Sequence, residues 1–181
     1  CDLQSILDAA DVDAEIRELI ALMEYRPAML DEGLIQAPVF EDYFRGILNY
    51  DRYTHPATTR LVAICLNAAT GAGMRFKWHF NRPRPSQLSP ALMPPIDPPQ
   101  HGSFPSGHST QAHTLCCLFE AILGDLVVTD HRPHPDPDPA DASLAVERRP
   151  YYDMAQRIAR NREVMGLHYP SDSAAGERLA E

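Results

Sequence analysis

Eight prolines fall between Arg82 and Pro105: Pro83, Pro85, Pro90, Pro94, Pro95, Pro98, Pro99 and Pro105. Proline fixes φ, lacks an N–H and holds the residue before it extended. No helix or interior strand can run through such a stretch, so it is predicted to be a long extended loop. A loop of more than about 15 residues inside a compact domain is usually functional or disordered. A second proline-rich stretch, Asp130–Asp141 (DHRPHPDPDPAD), is polar and reads as a surface loop. The fold has to be built from the segments around these two breaks.

Those segments have helical periodicity. Asp13–Tyr25 places Ile16, Leu19, Ile20 and Met23 on one face, with Asp11 or Asp13 as cap and Pro27 as stop. Pro38–Tyr50 repeats the pattern. Pro56 opens the longest helix, to about Phe80, with Leu61, Ile64, Cys65, Ala68, Ala69 and Ala72 on a face suited to close packing. Further helices are expected over Ser106–Leu123, over Asp141–Gly166 with a bend at Pro150, and from Ser171 onward. Strand alternation and hairpin signals are absent. The prediction is an all-α, single-domain bundle of about five or six helices, with residues 1–55 as a helical N-terminal part and 56–181 as the motif-bearing core.

Charge and hydropathy exclude several function classes. Twenty-five acidic against sixteen basic residues give a net charge of −9, the wrong sign for a general nucleic-acid binder. Any anion chemistry must come from a local basic cluster. No run approaches the roughly 18 apolar residues of a membrane span, so the chain reads as soluble, with its compartment open. It begins at Cys1 and ends at Glu181 within a helical pattern, and is expected to be part of a longer chain. The four cysteines form no CxxC pair, and the neighbours Cys116 and Cys117 read as small core residues.

Three segments put cations or imidazoles beside features that fix the backbone. In Lys77-Trp-His-Phe-Asn-Arg-Pro-Arg84-Pro85, a lysine near a helix end is followed by two Arg-Pro dipeptides. Cations suit a helix C-terminus, but that does not account for the paired Arg-Pro steps. In Gly102-Ser-Phe-Pro-Ser-Gly-His108, Ser106 and Gly107 open a helix whose free N–H groups welcome an anion, with His108 in the first turn. The plainer reading makes Ser106 only a cap. In Arg162-Glu-Val-Met-Gly-Leu-His168-Tyr-Pro-Ser-Asp172, a carboxylate four residues from a histidine can fix its tautomer and leave the other nitrogen nucleophilic. Here too Asp172 could be only a helix cap.

Together the segments read K-x6-R-P, P-S-G-H and R-x5-H-x3-D, in that order. This resembles the three-part signature of the type 2 phosphatidic acid phosphatase and vanadium haloperoxidase superfamily. One departure is Asn161, where the family often has serine before the arginine. The resemblance implies a helical bundle in which Lys77, Arg84 and Arg162 bind phosphate oxygens and Ser106 and Gly107 add donors. It implies that His168 attacks phosphorus, Asp172 orients it, and His108 protonates the leaving oxygen and then activates water. Three cations around one dianion suit phosphoryl transfer, and no metal or other cofactor is expected. The leading expectation is a metal-independent acid phosphatase acting on a small, water-soluble phosphomonoester. The Asn-Arg-Pro-Arg-Pro and His-Tyr-Pro-Ser-Asp sequences favour that branch. The alternative is a haloperoxidase holding vanadate in the same cage with His168 as its ligand. A non-catalytic phosphate-binding domain is a third reading.

Other polar residues read more plainly. His131 and His134, beside Asp136 and Asp138, suit a solvated loop better than a metal site. His79 and His101 flank the motifs and could line a rim. His113 falls on a different part of its helix from His108. Arg82 is a candidate second cation paired with an acid, and Trp78 is core or substrate wall.

Overall fold

The structure is a computed structural model describing residues 2–124, 128–130 and 146–181. Among these residues it contains nine α-helices. Four short ones come first: α1 (Leu3–Ala9), α2 (Val12–Leu22), α3 (Arg26–Val39) and α4 (Glu41–Leu48). The long α5 (Pro56–Phe80) follows, then one turn, α6 (Pro85–Leu88), inside the first proline-rich stretch. α7 (Gly107–Leu123), α8 (Pro150–Val164) and α9 (Pro170–Ala180) complete the bundle. No helix among the described residues is long and apolar enough to cross a membrane.

The class is all-α, but with more and shorter helices than the periodicity suggests. Pro27 does not stop a helix; it sits in the first turn of α3, where its missing N–H costs nothing. Pro38 lies at the other end of α3, not at the start of the next helix. Pro150 opens α8 instead of bending it. Just before it, Val146–Arg148 pairs antiparallel with Val128–Asp130, Val128 opposite Arg148. A ribbon of three residues per strand is too short to show alternation. The loop reading of 131–141, with His131, His134, Asp136 and Asp138, lies outside the described residues.

α7 is central and packs against α5, α8 and α9. Leu115 and Phe119 of α7 are fully buried with Phe44 of α4 and Ile158 of α8. Each such side chain contributes roughly 1.5–3 kcal/mol by leaving water. Cys116 joins this core, while its neighbour Cys117 is exposed, because adjacent helical positions cannot share one face. A second cluster, Leu19, Leu22, Leu92, Val164 and Tyr169, ties α2 to the ends of α8 and the first loop.

Two glycines allow close backbone approach where the chain is tightest. A Cβ on Gly102 would lie 3.1 Å from Lys77 O and 3.2 Å from Arg82 N, because the loop crosses the end of α5 there. A Cβ on Gly176 would lie 2.7 Å from Ser109 Cβ and 2.8 Å from Ser106 O, where α9 meets the start of α7. Asn81 ends α5 in the left-handed region (φ 43°), its N–H bonded to Lys77 O at 3.0 Å. That turn leads directly into Arg82 and Arg84.

Candidate active site

The end of α5, the first loop, the start of α7 and the α8–α9 turn meet at one cavity of about 200 Å³. Its walls include Lys77, Arg84, His101, Gly107, His108 and His168. Of the eight predicted catalytic and phosphate-binding residues, five line it, and His101 joins them as a rim candidate. Arg162, Ser106 and Asp172 stand behind the wall.

The buried cations are held by main-chain oxygens. Lys77 Nζ donates to Gly102 O (3.1 Å) and Ser103 O (2.9 Å). Arg84 Nη1 donates to Leu167 O at 2.8 Å, and Nε to His101 O at 3.3 Å. Arg162 Nη2 donates to Gly33 O of α3, and its buried Nε has no partner among the described residues. Neutral carbonyls position these side chains without cancelling their charge, so they favour an anion. Burial, with Arg84 nearby, lowers the Lys77 pKa to about 7; burial lowers both Arg84 and Arg162 to about 10.

His168 is buried and spanned by two partners. Its Nδ1 lies 3.1 Å from Asp172 Oδ2, and its Nε2 lies 3.2 Å from Arg84 Nη1. Arginine can only donate, so Nε2 carries the lone pair and Nδ1 the proton. Burial and then Lys77, Arg84, His108 and Arg162 push its pKa well down, which favours the neutral ring.

Asp172 is fully buried and saturated with donors. Oδ2 also accepts from Tyr169 N (3.0 Å), while Oδ1 accepts from Arg82 Nη1 (2.7 Å) and Ser103 Oγ (3.4 Å). Burial raises its pKa; Arg82, the Tyr169 N–H and Lys77 oppose that. Arg82 is therefore the cation paired with an acid that the sequence suggested, and it has a second acid: Nη2 lies 2.9 Å from Glu15 Oε2 of α2. Its guanidinium carbon sits 3.9 Å from the Tyr169 ring centroid.

His108 faces the cavity from the first turn of α7. Its Nε2 lies 3.2 Å from both Gln36 O and Ala37 O, which makes Nε2 the donor. Burial, then Arg162, lowers its pKa to about 4. Ser106 caps α7, its Oγ 3.4 Å from Ser109 N, but its own N–H is bonded to Asp172 O at 2.8 Å. The Ser106 main-chain donor is thus spent on joining α7 to α9. Gly107, in the first turn, keeps an N–H with no intrahelical acceptor.

The remaining candidates sort by position. His101 lines the cavity and its Nδ1 lies 3.3 Å from Arg84 Nη2. His79 packs on Phe80, away from it. His113 is buried against Ser109 O (2.8 Å) and Gln156, outside the cavity. Asn161 is structural, donating to Glu32 Oε1 (3.0 Å) and Gln36 Oε1 (2.8 Å) of α3. Trp78 is 82% exposed and lines an adjoining cleft of about 350 Å³ with Met74, Asn81, Gln100 and Gly102; Lys77, Met74 and His101 belong to both walls.

Sequence reasoning missed Glu15 and the α3 carbonyls. Glu15 lies far from the motifs in the chain, and main-chain oxygens carry no residue signature. Among protein families, residues 56–180 match the PAP2 superfamily. The comparison with curated proteins found no match.

Proposed function

The chain belongs to the PAP2 superfamily, a phosphatase-type family, and from that premise we propose that it is a metal-independent acid phosphatase that hydrolyses phosphomonoesters through a phosphohistidine. The observation that carries this reading is the state of His168: Nδ1 tied to Asp172, Nε2 with its lone pair toward the cavity and the cations.

In this reading Lys77, Arg84 and the Gly107 N–H grip the phosphoryl oxygens, whose charge is spread in the transition state, and the Arg162 cation supports them from behind the wall. An arginine can hold two oxygens at once. To receive phosphorus, His168 exchanges its bond with Arg84 for attack by the Nε2 lone pair. The P–N bond forms as the P–O bond to the leaving group breaks. His108 gives that oxygen a proton, with Nδ1 as the working nitrogen because Nε2 is held by the α3 carbonyls. The same imidazole then takes a proton from water as water attacks phosphorus, the P–N bond breaks and inorganic phosphate leaves. A positioned acid–base group is worth roughly 10²–10⁴ in rate. The low pKa of His108 favours turnover at acidic pH.

The leaving group occupies the cleft beside Trp78 and Met74, which suits a small phosphomonoester with a flat or apolar organic part. The assay is hydrolysis of p-nitrophenyl phosphate in the presence of a chelator, beside halide oxidation by peroxide with added vanadate. Chelator-resistant hydrolysis is expected. Halide oxidation without hydrolysis would reverse the assignment to the haloperoxidase reading, in which His168 is the vanadate ligand.

A further inference from the structure

We propose that Glu15, on α2 and outside the stretch matched to the family, is a positioning residue for the reaction, acting on His168 through Arg82 and Asp172. The proposal rests on the phosphatase reading above for its role in turnover.

The connection is continuous. Glu15 Oε2 is 2.9 Å from Arg82 Nη2, Arg82 Nη1 is 2.7 Å from Asp172 Oδ1, and Asp172 Oδ2 is 3.1 Å from His168 Nδ1. Glu15 also holds the start of α9: Oε1 accepts from Ser171 N at 2.6 Å and Oε2 from Ser171 Oγ at 2.9 Å. Ser171 Oγ in turn accepts from Arg82 Nη1 at 2.7 Å. One carboxylate thus fixes both the guanidinium that bonds Asp172 and the backbone residue before Asp172.

Charge gives the arrangement a purpose. Arg82 and Asp172 alone would sum to zero beside His168. With Glu15 the three sum to −1, so Asp172 is not fully neutralised by its arginine. A residual negative charge supports the ring as it becomes cationic on bonding phosphorus. Stability alone is a poor explanation, since buried ion triads are often no better than apolar packing of equal volume.

The test uses the full chain and two readouts. With p-nitrophenyl phosphate, Glu15→Gln should lower kcat about tenfold, in the range seen when a partner that orients a working group is lost, with KM within about twofold. In an Asp172→Asn background the same change should cost less than about twofold, because the route to His168 is already cut. An unchanged kcat, or an equal loss in both backgrounds, overturns the proposal. Should Glu15→Gln fail to fold, Arg82→Lys keeps a charge but cannot bridge two carboxylates through two nitrogens; it should show the same kcat-selective loss, and an unaffected kcat overturns the proposal. The second readout needs no turnover: the Nδ1 proton of His168, seen by NMR without substrate, should move in Glu15→Gln and must not stay in place. A wild type that hydrolyses no phosphomonoester removes the proposed function, and the NMR result still decides this one.

Discussion

Arg84 Nη1 and His168 Nε2 lie 3.2 Å apart, so the ring nitrogen remote from Asp172 faces a cation. A positive group there disfavours a second ring proton and keeps the lone pair. His168→Ala should therefore lose at least about 10³-fold in kcat, as removal of a nucleophile does, with the helical circular dichroism retained. Acid-labile, alkali-stable radiolabel from a phosphorylated substrate should appear on wild type and be absent from the variant.

Lys77 gives a pH prediction with a definite sign. Its pKa is lowered to about 7, so the cation is present below that pH and lost above it. Sulfate keeps a constant charge across this range and is a suitable competitive probe. Its inhibition constant should rise as pH goes from about 6 to about 9, approaching tenfold per unit above the pKa. In Lys77→Met the constant should be larger throughout and flat. A flat wild-type profile would mean Lys77 does not bind the anion.

Trp78 lines the adjoining cleft and not the cavity that holds His168, so its substitution tests whether the cleft takes the organic part of a substrate. Trp78→Ala should raise KM for an aryl phosphate several-fold and leave inhibition by inorganic phosphate within about twofold, as loss of uniform binding requires. The chain has one tryptophan, so quenching of its fluorescence by the aryl ligand reports the same contact directly.

Glycine substitutions should have opposite signs at two positions. At Gly176 a Cβ meets Ser109 Cβ and Ser106 O, so Gly176→Ala should destabilise by about 1–3 kcal/mol as overpacking does. At Gly71, inside α5, a Cβ meets nothing within 4 Å, so Gly71→Ala should stabilise by about 0.5–1 kcal/mol. Urea unfolding measures both.

The long helix and the motif segments were legible because their signals are local. Pro56 and Asn81 bracket α5 as first-turn and terminal residues. Ser106 caps α7, and Asp172, in the first turn of α9, reaches back to His168 just ahead of that helix. The N-terminal third was less legible: Pro27 and Pro38 look like breaks, yet helix ends tolerate proline. The pairing of Arg82 with Glu15 spans 67 residues, and no local pattern encodes it. His101 lies next to Gly102 in the loop, and only the fold shows that it reaches Arg84.

The supports that α3 offers to His108 and Arg162 are oxygens of Gly33, Gln36 and Ala37, which any amino acid supplies. What counts at those positions is helical register more than residue identity. A one-residue insertion just ahead of Gly33 would swing the oxygens around the axis by about 100°, and both side chains would lose their seats although every motif residue stayed in place.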